Sequence, residues 1–172
     1  MKRWLPLGLI AAGVVLAAAA LLSSSSEEER IRARLTQLSE AVRIDEGERN
    51  PLVRLGRVRG EFAEIFTKDA RASVPELDGR ISGRDELAAA AAKAVGLYQS
   101  ADVSFGDAEI RIDEAGMTAE VAATATIAGA RHGQPVRRDE RPVTLRLEKI
   151  DDEWKIVSAT VEAERGPGDD GP

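Results

Sequence analysis

The chain has 172 residues, with 30 acidic and 24 basic side chains, one His and no Cys. That length suits one domain of ordinary size. The lack of Cys excludes disulfides, thiolate metal sites and Cys nucleophiles, one His leaves no cluster to hold a metal, and a net charge of −6 with six aromatic residues argues against nucleic acid as a partner.

Met1-Lys2-Arg3 is a basic start, and Trp4 to Leu22 follows with 19 residues and no charge. Ser23 to Ser26 and the acidic Glu27-Glu28-Glu29 come next. Positive charge before the apolar run and negative charge after it point the amino terminus toward the cytoplasm and the rest of the chain outside. Nineteen residues exceed a typical signal-peptide core and approach a spanning length, which favours a retained anchor over residues 4–22 in the cytoplasmic membrane. Ala18-Ala19-Ala20 supply the small residues of a cleavage site, and cutting there would release an exported soluble protein. Residues 1–26 are therefore read as anchor and linker, 27–163 as the folded domain, and 164–172 as a Gly/Pro/Asp tail with nothing to bury.

Within the domain, Ile31, Leu35, Leu38 and Val42 fall on one face of a first helix. Ile44 to Arg49 is a charged break, and Asn50-Pro51 starts a second helix with an N-cap and a Pro at its first position. Its stripe is Leu55, Val58, Phe62, Ile65 and Phe66, ending near Lys68. The basic residues from Arg30 to Arg59, interleaved with Glu, read as a charged helix face. Ala70 to Pro75 predicts a short strand, with Asp69 turning the chain into it, Leu77 to Arg80 a turn, and Ile81 a second extended piece. Ser82 with Asp85 resembles a capping box that opens an Ala-rich helix from Arg84 to about Tyr98.

Four strands follow. Val103 and Phe105 lie on one parity and Ala108, Ile110 and Ile112 on the other, a phase change that predicts a β-bulge at Gly106. Met117 to Ile127 alternates apolar with Thr and Glu. Gly129 to Arg141 reads as a polar hairpin tip, Val143 to Glu148 as the third strand, Asp151-Asp152 as a turn, and Trp154 to Val161 as the closing strand.

This order resembles the nuclear transport factor 2-like superfamily, with its SnoaL-like and ketosteroid isomerase-type members. The resemblance rests on Phe62-Ala-Glu-Ile-Phe-Thr-Lys-Asp69-Ala, on Leu77-Asp-Gly-Arg-Ile-Ser-Gly-Arg-Asp-Glu-Leu87, and on Leu145-Arg-Leu-Glu-Lys-Ile-Asp-Asp-Glu-Trp154-Lys-Ile-Val157, and it covers about residues 29 to 162. It implies an α+β fold in which a curved, mostly antiparallel sheet wraps around about three helices as a cone. It also implies pairing of two copies through the exposed sheet face. The fold hosts isomerases, dehydratases, hydrolases and non-catalytic modules, so function must come from the site.

Two constellations are candidates for chemistry. In the isomerase plan, Tyr98 would donate a proton with Asp102, or Asp107, as base. The competing and preferred reading makes Tyr98 a helix-end core aromatic and the Asp residues turn or outward positions, and no second Tyr or His completes the constellation. The epoxide hydrolase plan needs two carboxylates flanking an Arg on the inner wall, for which Glu120, Glu148 and Arg146 are available. They share the polar parity of their strands, which reads instead as a solvated or partner-facing interface unless the Gly106 bulge turns that parity inward. His132 reads as a surface loop residue. Phe62, Phe66, Tyr98, Phe105 and Trp154 would line an apolar pocket, and Phe105 and Trp154 are expected in the core.

The sequence thus predicts a membrane-anchored, non-catalytic binding or assembly module of the cell envelope, without metal or cofactor. Its partners would be a second copy and an envelope protein. The alternative is an enzyme or carrier that takes an apolar small molecule into the cone.

Overall fold

A computed structural model describes residues 27–75 and 79–163. The leader and anchor, Leu77 and Asp78 of the expected turn, and the tail from residue 164 lie outside the described residues. Among those described, no helix is long and apolar enough to cross a membrane.

The chain divides into two compact units, one ending at Ala33 and one beginning at Arg34. Residues 27–42 are helical (α1). In the first unit Arg30 donates to Glu27 at 2.9 Å, one turn earlier on the helix. The second unit holds the rest: α2 (Pro51–Ile65), β1 (Phe66–Ser73), β2 (Arg80–Ser82), α3 (Arg84–Lys93), a single 3-10 turn (Ala94–Gly96), then β3 (Tyr98–Ile112), β4 (Thr118–Arg131), β5 (Arg137–Ile150) and β6 (Glu153–Val161). The strands form one sheet in the order β2-β1-β6-β5-β4-β3. All pairs are antiparallel except β1 with β6, so the sheet is mixed and the fold is the expected helix-plus-curved-sheet α+β class.

The start of α2 is built as its sequence predicts. Asn50 Oδ1 accepts from the backbone N–H groups of Leu52 (3.0 Å) and Val53 (3.3 Å), and Pro51 occupies the first turn, where its missing N–H costs nothing. The far end has no basic residue of its own. Three cations from elsewhere serve its free carbonyls: Lys155 Nζ donates to Glu64 O at 2.7 Å, Arg34 to the same oxygen at 2.9 Å, and Arg84 to Ala63 O at 3.5 Å.

Several boundaries differ from the sequence reading. Phe66 leaves the helix and opens β1, four residues before Ala70, because its backbone pairs in register with Ile156 of β6. Asp69 is therefore an exposed mid-strand residue. The cap of α3 is Gly83, at φ +99, with Ser82 in β2; the Gly83 N–H is taken by Ala70 O at 2.8 Å. A glycine fits there because other residues rarely adopt that backbone. Helix α3 ends at Lys93, and Tyr98 begins β3. The polar tip after Gly129 is mostly ladder: Gly129 pairs with Arg137 and Ala128 with Arg138, which leaves a turn of residues 132–136. Backbone pairing continued there without any need for apolar side chains.

The bulge is where the parity break predicts it. Gly106 pairs with Thr124 and Glu109 with Ala122, three steps on β3 against two on β4, and the inserted Asp107 sits at φ +49. Its effect is to keep one face continuous. Phe105 stands opposite Ala125 and Ile110 opposite Val121, on the same side of the sheet. That side carries the buried Ala119, Val121, Ala123, Ala125, Val143, Leu145, Leu147, Trp154 and Ile156.

Candidate functional site

Because the bulge preserves parity, Glu109, Arg111, Thr118, Glu120, Arg146 and Glu148 stay together on the exposed face, whereas Asp139 and Arg141 stand opposite Ile127 and Ala125 on the other and pair at 2.6 Å, with side chains 29% and 12% exposed. Arg111 pairs with Glu120, Glu120 with Arg146, and Thr118 with Glu148. Opposite charges thus alternate across three strands in one row, the arrangement in which cross-strand pairs attract. Arg111 donates to Glu109 two residues back, at 2.8 and 3.2 Å. That hydrogen bond, with the charges of Glu109 and Glu120, raises the Arg111 guanidinium above its ordinary value and keeps it charged. The parity does not turn inward at any of Glu120, Arg146 or Glu148.

Tyr98 and Asp102 are not brought together. Their partners on β4 are Arg131 and Ala128, three residues apart, so the two side chains leave opposite faces of the sheet. Asp102 joins the exposed face. Tyr98 lies on the other, its ring against Gly129: a Cβ on Gly129 would sit 3.3 Å from Tyr98 Cδ1. The Arg131 guanidinium is 5.5 Å from the ring centroid, a cation–π distance. This half-buried aromatic lies at the edge of the buried face, which also carries the Asp139–Arg141 ion pair at 2.6 Å.

Of the other aromatic candidates Phe62, Phe66 and Trp154 are core, whereas Phe105, expected there too, is not fully covered. Phe62 and Phe66 have ring centroids 4.8 Å apart at 57°, and with Trp154 they are at most 5% exposed. Phe105 is half-buried. His132, expected on the surface without a partner, is exposed but has Nε2 3.4 Å from Val95 O, linking the β4–β5 turn to the 3-10 turn. Among the described residues no group of His, Asp and Glu is placed to hold a metal.

One residue escapes the sequence reading altogether. Arg54, counted within a charged helix face, is 1% exposed. Its Nε donates to Ala91 O in α3 (3.0 Å), Nη2 to Val42 O (2.8 Å), and Nη1 to Arg43 O (2.9 Å) and to Glu48 Oε2 (2.7 Å). All three nitrogens of the guanidinium are used, in four hydrogen bonds, so the group ties three helices together. The available signal was spacing: Arg54, Val58, Phe62 and Ile65 share one helix face.

The family described as the SnoaL-like domain matches residues 56–160. No curated protein sequence matches the chain. Among solved structures, a nuclear transport factor 2-like superfamily protein of Salmonella enterica is similar over 87% of this chain and 99% of its own, with TM-score 0.65 at 14% identity. A Mycobacterium tuberculosis protein of unknown function is similar over 83% and 79%, with TM-score 0.64 at 19% identity. A candidate scytalone dehydratase of Novosphingobium aromaticivorans is similar over 88% and 97%, with TM-score 0.59 at 13% identity. Likeness at these identities concerns the fold.

Proposed function

The chain belongs to the SnoaL-like domain family, and from that premise we propose that it is a binding or assembly module without catalytic activity. In this reading residues 4–22 tether it to the cytoplasmic membrane with the domain outside, and the exposed sheet face carrying Glu120, Arg146 and Glu148 receives a second copy or an envelope protein. One observation carries the proposal: Arg111, Glu120, Arg146 and Glu148 gather on the exposed face of β3–β5, while on the opposite face Asp139 and Arg141 are joined to each other at 2.6 Å beside Ile127 and Ala125. A module that recognises a partner needs charge on its open surface. An acid–base enzyme needs it beside the substrate.

The test compares two pairs of substitutions in the full chain by native mass spectrometry from detergent. Arg146→Glu and Glu148→Lys should shift the subunit number or release a bound protein, and Tyr98→Phe and Asp102→Asn should leave the spectrum unchanged. A discrete small-molecule adduct lost on Tyr98→Phe would overturn the reading. It would favour the second one, a small-molecule enzyme or carrier, for which the Tyr98 ring between Gly129 and Arg131 is the supporting observation.

A further inference from the structure

Among the described residues β3 is the last strand of the sheet, 15 residues long, with β4 on one side only. Near its start a bridge from Ile44 to Ala101 occupies the other edge, with both hydrogen bonds made at 2.8 and 3.0 Å. Beyond the bulge the strand runs straight from Glu109 to Ile112, in register with Ala122 to Ala119. The Asp113 N–H donates to Thr118 O across to β4. By alternation, the backbone groups of Arg111 and Glu109 also face β4, and those of Ile110 and Ile112 face the free edge.

Edge strands usually carry charge to prevent pairing. Here the charges are of opposite sign and two residues apart: Glu109 and Arg111 have side chains 63% and 71% exposed. That spacing is self-complementary about Ile110. When two such strands run antiparallel with Ile110 facing Ile110, each Glu109 stands opposite the other copy's Arg111. A shift that centres the pair on 109 or 111 puts like charges opposite one another, and so does any parallel in-register pairing. The charges therefore admit one register and reject its neighbours. In that register the half-buried Ile110 meets its counterpart on the apolar side, and the half-buried Ile112 stands opposite Ala108 of the second copy.

We propose that this segment of β3 pairs with the same segment of a second copy of this chain, antiparallel and centred on Ile110, extending the sheet across a two-fold axis. The contact is separate from the sheet-face pairing above and stands or falls without it. The bulge at Asp107 and the turn at Asp113 stop the ladder on either side, so the interface is short and the association weak, a class that tethering in one membrane strengthens by raising local concentration.

The test uses the full chain, whose lack of Cys makes single-Cys variants unambiguous. In the proposed register the two Ile110 form a hydrogen-bonded antiparallel pair, about 5.5 Å between Cα atoms and within disulfide reach. Ile110→Cys should cross-link to a covalent dimer under mild oxidation at several times the yield of Glu46→Cys, a surface control. Thr126→Cys reports the sheet face. Cross-linking at 126 but not at 110 would leave face pairing intact and overturn the edge contact. Charge reversal gives a second readout that does not need a Cys at the axis. Arg111→Glu and Glu109→Arg should each weaken self-association about tenfold in sedimentation equilibrium, because two attractive pairs become repulsive. Mixing the two variants should restore association between unlike copies to within about threefold of the wild type, since every opposed pair is then complementary. A mixture as weak as either variant alone would overturn the proposal.

Discussion

Arg54 Nη1 lies 2.7 Å from Glu48 Oε2, and the guanidinium that makes this contact is 1% exposed while Glu48 keeps 21% of its side chain in solvent. Glu48 also accepts from Arg57 at 3.1 Å, so one carboxylate at the rim of the helices serves both a buried and a surface cation. The burial of a charge in a domain of this size is sustained because three carbonyls, Val42, Arg43 and Ala91, share it.

Arg54→Ala should cost about 3–5 kcal/mol, because it orphans the end carbonyls of α1 and the Ala91 carbonyl together. That is a large part of the whole stability of a single domain. Arg54→Lys should recover less than half of the loss, since one ammonium cannot span the fork that a guanidinium fills. Glu48→Gln should cost only about 1 kcal/mol, the carboxylate being partly solvated. Urea midpoints at fixed slope order the three, and a Lys variant as stable as the wild type would show that the fork is not needed.

Much of this was legible in the sequence, and the failures share a cause. Asn50-Pro51 and the Gly106 parity break are local signals, and each is realised where it stands. Phe66, Ser82 and Tyr98 were misplaced by a few residues because tertiary pairing decided them: the Phe66 partner is Ile156, and Gly83 answers to Ala70. Arg54 was unreadable for the same reason, since a buried Arg depends on carbonyls from two other helices. The separation of Tyr98 from Asp102 needed the register shift between Tyr98 and Ser100, a second irregularity of β3 that no apolar pattern marks.

Gly129 is required by the Tyr98 ring. A Cβ there would meet Cδ1 at 3.3 Å and Ser100 O at 3.4 Å, so Gly129→Ala forces the ring or the strand to move. The expected cost is about 1–3 kcal/mol, as for other overpacked sites. Tyr98→Ala should itself destabilise, but the double variant should lose less than the two singles combined, because removing the ring makes room for the methyl. Additive losses would mean that the backbone near Ser100, rather than the ring, resists the methyl group.

Asp113 supplies an acid-sensitive term. Its Oδ1 accepts from the backbone N–H groups of Thr118 and Met117, both at 2.8 Å, and these bonds, Thr118 first, hold the carboxyl below its ordinary value against the opposing effect of desolvation. A carboxyl lowered by folding stabilises fully above the unfolded value, near 4, and the benefit is lost as pH falls through the lower folded value. Asp113→Asn should therefore melt at lower temperature than the wild type at pH 7, and the gap should close as the pH drops below about 4. A gap that is constant down to pH 2 would show that the carboxylate charge contributes nothing to the β3–β4 turn.

The β5–β6 turn places Asp151 at φ +50 and Asp152 at φ +64, two successive left-handed residues without a glycine. This is the turn whose twist suits a two-residue hairpin, and Asp tolerates it better than most residues. It holds Lys149 opposite Trp154, and so sets which side of the sheet the indole enters. A slip of one residue would carry Trp154, 1% exposed, to the solvent face. Asp151→Gly should be neutral or stabilising by a few tenths of a kcal/mol, whereas Asp151→Val, branched at Cβ, should cost about 1–2 kcal/mol. Tryptophan emission separates strain from slippage: a destabilised variant with an unshifted maximum keeps the register, and a red-shifted maximum in the folded protein would show that the turn residues, rather than the apolar pattern of β6, select it.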